Sequence, residues 1–302
     1  MRWLPALLVL SLAAGCSESR TVAIDQVPVA VDDVTTTEDA STGSFTLDCG
    51  RNERRHLNAD NVVITPGRTH GAHHTHEYVG NTSTDAHSTD GSLAAAGSTC
   101  AAGDRSTYYW PVLRLTDRRG HDEHAPGGGA HGNTGEVLPP DSVSVTFTGN
   151  PVSRVVAMPR FLRAITGDPA ATTTGRGTAR WSCTGFEDRW TDRYPGCAPG
   201  SRVLRTFVFP SCWDGRNTDS PSHRAHVEFP AANGVCRQGT FPVPGLRLRV
   251  AYDVPPGRPF AVDSFPEQHR DPSTDHAMFV NVMPDALMDE VVACLNAGRS
   301  CP

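Results

Sequence analysis

"LRLRVAY", residues 246–252, alternates Leu246, Leu248, Val250 and Tyr252 with Arg247 and Arg249. Successive side chains of a strand point to opposite faces, so this two-residue period predicts a half-buried strand. "VSVTFT" (143–148) repeats the pattern with Val143, Val145 and Phe147, and "VLRTFVF" (203–209) and "NVVIT" (61–65) are further strand candidates. The 24 Pro and 28 Gly fall largely between such runs, which suits a sandwich better than a helical or βαβ fold. The fold expected is mostly β: a single-domain antiparallel β-sandwich, jelly-roll-like, with long loops, disulfides and a short C-terminal helix. That helix is "PDALMDEVVACLNAG" (284–298), which starts at Pro284, sets Leu287, Val291 and Leu295 on one face and stops at Gly298. The polar, Gly-rich "RRGHDEHAPGGGAHGNTGEVLPP" (118–140) is expected as a long loop.

A chain of 302 residues can bury one large β core. Its net charge is −6, and all 27 basic residues are Arg. There is no basic footprint, so nucleic acid is not an expected partner.

The N-terminus, "MRWLPALLVLSLAAGCSES", carries an apolar run too short for a membrane span, which needs about 20 residues, and reads as an export signal over residues 1–15. Cys16 follows small residues, where a bacterial lipoprotein signal places its lipidated cysteine, although Ala13 stands where such signals usually carry Leu. Residues 16–42 are then the anchor cysteine and a flexible polar tether, and 43–302 the domain. The expected location is the outer face of the cytoplasmic membrane, held by the lipid on Cys16, or the secreted fraction. Of the nine cysteines, eight remain in the domain, and an even number in an exported chain reads as a disulfide framework. On the order of a hundred pairings are open to eight cysteines. Joining neighbours is the expectation: 49–100, 183–197, 212–236 and 294–301. No C-x-x-C pair offers a cysteine zinc site.

Histidines carry the strongest chemical signal. In "GAHHTHEYVG" (71–80), strand geometry sends His74, His76 and Tyr78 to one face and His73, Thr75 and Glu77 to the other. Two imidazoles aimed at one point suit zinc or copper. In "RAHVEFP" (224–230), Val227 and Phe229 are expected in the core, with His226 and Glu228 on the polar face, and His276 begins another apolar run in "STDHAMFVNVMP". His74, His76, His226 and His276 are therefore the candidate metal ligands.

"FPSCWDGRNTDSPSHRAHVEFP" (209–230) also holds His223, Asp219 and Glu228 as candidate acid/base groups. Trp213, Asp214 and Asn217, with Trp110 upstream, are candidate substrate contacts, because flat rings beside amides and carboxylates suit sugar binding. The plainer reading is that Asp214 and Asn217 cap turns through their own backbone and that the Trp rings fill a core. The spacing D-x-x-N-x-D is not that of an EF-hand loop, and no G-x-S-x-G marks Ser220 as a nucleophile.

These segments, with "STYYWPVL", "AITGDP" and "DHAMFVN", resemble a family of secreted proteins from filamentous fungi and actinobacteria that is catalogued as a domain of unknown function. The likeness spans roughly residues 45–300 and is carried by W-D-G-x-N-x-D-S-x-x-H-x-x-H, here Trp213, Asp214, Asn217, Asp219, His223 and His226, and by H-x-H at His74 and His76. His276 matches a further histidine, whereas Met278 replaces the acid that usually follows it. The resemblance implies secretion and one domain, and it brings no activity with it. Two readings follow from the residues. The first is an extracellular enzyme acting on polysaccharide or another wall polymer through a metal or acid/base histidine site. The second is a non-catalytic carbohydrate- or metal-binding lipoprotein.

Overall fold

A computed structural model describes residues 20–31, 34–117, 134–171 and 179–302. The expected signal peptide, Cys16 and most of the Gly-rich loop lie outside the described residues.

Two sheets dominate. The six-stranded sheet runs in the order Trp181–Cys183, Val203–Val208, Gly245–Tyr252, Ser142–Thr148, Ser44–Leu47 and Ser300–Cys301. All its pairings are antiparallel except the last, where Ser300–Cys301 runs parallel to Ser44–Leu47. The central strand behaves as its alternation predicts: Leu246, Leu248 and Val250 are buried, while Arg247 and Arg249 are half-buried on the other face. In the neighbouring strand Val203, Arg205 and Phe207 all face inward, so a guanidinium enters the core opposite Val250.

The second sheet is ordered Leu57–Asn58, His76–Gly80, Thr107–Pro111, Ala277–Val280 and Arg163–Thr166. Glu77, Val79, Tyr108, Trp110, Ala277 and Phe279 are buried on the side of the first sheet, where the Phe279 ring meets Phe147 edge-on. Tyr78, Tyr109, Met278 and Val280 face the other way, onto a smaller core with Val62, Val63 and Leu93. Buried on both faces, this sheet reads as near-continuous apolar sequence. Together the two sheets form the β-sandwich, and among the described residues no sheet closes into a barrel.

Four disulfides brace it, joining Cys49–Cys100, Cys183–Cys197, Cys212–Cys236 and Cys294–Cys301, as the neighbour pairing anticipated. They indicate an oxidising environment. Among the described residues no helix is long and apolar enough to cross a membrane. The helix Asp285–Asn296 buries Leu287, Met288, Val291, Cys294 and Leu295, and Gly298 follows it in the left-handed region.

Three local expectations change. "NVVIT" forms a turn and not a strand, because the Asn61 carboxamide accepts from the Val63 and Ile64 amides and the Asn61 carbonyl from that of Thr65. Phe229 is 42% exposed and outside the core, since its strand ends at Glu228. Within the stretch read as a tether, Thr21–Ala23 pairs with Tyr194–Gly196, and Ile24 and Val27 are buried beside Cys183.

Candidate metal centre

His76 opens the strand His76–Gly80, His74 lies two residues earlier, and His276 immediately precedes Ala277–Val280. These strands flank Thr107–Pro111. His76 sits opposite Pro111 and Met278 opposite Tyr109, so the register brings His276 level with Pro111 from the far side. Two strand spacings, about 9.6 Å, separate the backbones, and the imidazoles close that gap. His74 Nε2 lies 3.0 Å from His76 Nε2 and 3.2 Å from His276 Nε2. A tetrahedral zinc with nitrogens at about 2.0–2.1 Å sets neighbouring ligands about 3.3 Å apart. Both separations from His74 approach that spacing, and ligand atoms of all three histidines lie within 4.8 Å of one another.

Two tautomers are fixed by acceptors that cannot donate. His76 Nδ1 donates to the Asp60 carbonyl at 2.8 Å, and His276 Nδ1 donates to the Thr274 carbonyl at 3.1 Å. Their Nε2 lone pairs therefore point at His74. His74 Nδ1 makes no full hydrogen bond, although the Ala72 carbonyl favours a proton there. All three rings are at most 2% exposed. Burial lowers His74 well below the ordinary histidine range, helped by its two neighbours, and takes His76 to about 3 and His276 to about 4. The cluster is thus neutral at pH 7. With the His74 proton on Nδ1, where the Ala72 carbonyl favours it, three Nε2 lone pairs converge, an arrangement suited to a cation such as zinc or copper; with it on Nε2, the proton is shared with His76 and His276 instead. Among the described residues the three also form a group able to hold a metal ion by donor spacing.

Each ligand-bearing segment is pinned by a buried ion pair. Between His74 and His76, the Thr75 amide donates to Asp263 Oδ2 at 2.8 Å, and Asp263 pairs with fully buried Arg114 at 3.0 Å. Beside His276, Asp275 takes a fork from Arg205, Nε to Oδ2 at 2.9 Å and Nη2 to Oδ1 at 2.5 Å. The same guanidinium donates to the Pro111 carbonyl at 2.8 Å, tying the flanked strand into the network. Asp60 holds the covering loop, its carboxylate accepting from the His70 and Ala86 amides. On the opposite face of the sheet, Glu77 accepts from Trp110 Nε1 at 2.7 Å and Tyr252 OH at 2.5 Å, and burial lifts its carboxyl to about 7 against the pull of Tyr252 and Arg205. Sequence reasoning missed these partners. A lone Arg in an apolar strand, as in "VLRTFVF", and an Asp next to a candidate ligand, as in "DHAMF", were the available signals.

The other expected site residues lie elsewhere. His226 does not join the cluster: its Nε2 bonds the Arg163 carbonyl at 2.6 Å and its Nδ1 bonds Ser220 Oγ at 3.0 Å. Trp110 is fully buried in the sandwich core and has no face for a substrate. Trp213 Nε1 donates to the Asn217 carbonyl, while Asp214 accepts from the Arg216 and Asn217 amides and the Asn217 carboxamide, so these residues build a turn. His223 Nδ1 pairs with Asp219 at 2.9 Å, and Glu228 with Arg237 at 2.8 Å. His223 and Glu228 line one cavity. Its wall reaches the histidine cluster through Gly167 (φ 79°), where an added Cβ would lie 2.6 Å from His276 Cα.

Fold and site together define a disulfide-braced β-sandwich with three buried histidines sharing one point. The family model described as "Domain of unknown function (DUF1996)" matches residues 61–281, and the chain belongs to that family. The matched span contains all three histidines and the whole 209–230 segment. Comparison with curated proteins and with solved structures gives no match.

Proposed function

We propose that this domain is an exported transition-metal protein in which His74, His76 and His276 hold zinc or copper through Nε2. The observation that carries the reading is the convergence of the three Nε2 atoms, with the Nδ1–H of His76 and His276 committed to backbone carbonyls. Such outer hydrogen bonds orient ligating histidines and raise their basicity. The four disulfides support an extracytoplasmic setting, and Cys16 is the proposed point of lipid attachment. Three protein ligands leave a coordination position for water or substrate, the arrangement of catalytic more than structural zinc. A bound metal would supply Lewis acidity there. The three rings are at most 2% exposed, so a polymer chain has no direct access to the metal, and the reading favoured is metal binding over catalysis on a wall polymer.

X-ray absorption on the zinc-loaded domain tests the ligand set. The expected first shell holds three imidazole nitrogens at about 2.0–2.1 Å, and substituting His276→Ala removes one of them. A shell of oxygens alone, or one unchanged in that variant, contradicts the assignment.

A further inference from the structure

We propose that the cavity beneath the 209–230 segment is a binding site for a neutral saccharide ring, separate from the histidine cluster and not dependent on metal. The cavity has a volume of about 540 Å³, within the usual range for small-ligand sites. Its apolar side is made by Ile165, Pro210, Val227 and Phe229, and its polar side by His223, Arg224 and Glu228. Phe229 is 42% exposed, and nothing among the described residues covers its ring fully. A pyranose presents an apolar C–H face to such a ring and hydroxyls at its edge.

Charge narrows the ligand. Arg224 places a cation at the cavity, and Glu228 places an anion that gives one oxygen to Arg237 while a carboxylate retains further acceptor sites. An anionic ligand would meet Glu228 and a cationic one Arg224. A neutral polyol uses donors and acceptors of both kinds. His223 adds an acceptor through Nε2, because its Nδ1–H donates to Asp219. Its backbone is left-handed (φ 54°), a strained conformation for a non-glycine residue that recurs at functional sites.

The walls are stiff before any ligand arrives. Cys212–Cys236 closes the segment, Cys212 pairs with Glu228, and Trp213 with Val227. The Arg163 amide donates to the Thr218 carbonyl, and Arg224 Nη2 reaches the Gly167 carbonyl at 2.7 Å, so the segment is stapled to the edge of the five-stranded sheet. Preorganisation of this kind lowers the ordering cost of binding.

Calorimetric titration of the mature domain with hexasaccharides of β-1,3-glucan, cellulose and chitin tests the site, with hexagalacturonate as the anionic counterpart. Saturable binding of at least one neutral series in the micromolar to millimolar range is expected. Phe229→Ala should weaken it at least tenfold, and Glu228→Gln, which keeps shape and fold, should weaken it several-fold. The wild-type domain should bind equally well after chelator treatment and after zinc loading. Absence of saturable binding to all three neutral series overturns the proposal, as do unchanged affinity in the Phe229 and Glu228 variants and tightest binding of hexagalacturonate.

Discussion

Loading the metal-free domain with zinc raises its melting temperature by about 10 °C at pH 7.5, and the gain fades as the pH falls toward about 4. A ligand present at a thousand times its dissociation constant stabilises the native state by about 4 kcal/mol. For a domain of this size each kcal/mol moves the midpoint by about 2–4 °C. The pH dependence has a definite sign. Burial lowers the three imidazoles in the folded protein, to about 3 for His76 and about 4 for His276, against about 6.5 in the unfolded chain. Between those values the unfolded state binds more protons, so stability is fully present above about pH 6.5 and is lost as the pH falls through the folded values. Protons and metal compete for the same nitrogens in that window. Thermal scans at several pH values with and without zinc measure both effects. A zinc shift that persists in the His74→Ala/His76→Ala variant, or that ignores pH, would assign the metal to other groups.

Asp275→Asn destabilises the domain by about 3–5 kcal/mol and lowers zinc affinity about 10- to 100-fold. Arg205 is fully buried and its guanidinium spans Asp275, Pro111 and Tyr252. Neutralising Asp275 leaves a buried cation without its counter-charge, which is far costlier than never having buried the pair. The same carboxylate accepts from the His276 amide at 3.0 Å, so its loss also loosens a proposed ligand. Replacing both partners, as Arg205→Met/Asp275→Leu, should recover much of the stability and leave the affinity impaired. Urea unfolding and metal titration of the three proteins separate the two effects. A loss below about 1 kcal/mol in Asp275→Asn would show that the pair is not the pin described here.

Alternation was legible in residues 143–148 and 246–252 because those strands have one inward and one more solvated face. It was silent in "TYYWP" and "AMFV", whose sheet is covered on both sides, and misleading in "NVVIT", where one carboxamide redirects the chain. The histidine pair at 74 and 76 was legible as H-x-H, although a bend at His73 and His74, and not the strand period, turns His74 toward the ring of His76, which opens the strand. His276 was identifiable only as a candidate, since 202 residues separate it from His74 and a sheet register joins them. His226 was misplaced for the same reason in reverse: its partner is a backbone carbonyl of the neighbouring edge strand, which no side-chain pattern announces. Trp110 looked available beside polar residues, yet its neighbours alternate across a doubly covered sheet and the indole lies inside the sandwich.

Elemental analysis of the mature domain, purified without chelator or affinity tag, tests the central claim most directly when run beside the His74→Ala/His76→Ala variant. The account predicts close to one zinc or copper per wild-type chain and a large loss in the variant. A wild-type protein that carries no transition metal and takes up none on titration would contradict it.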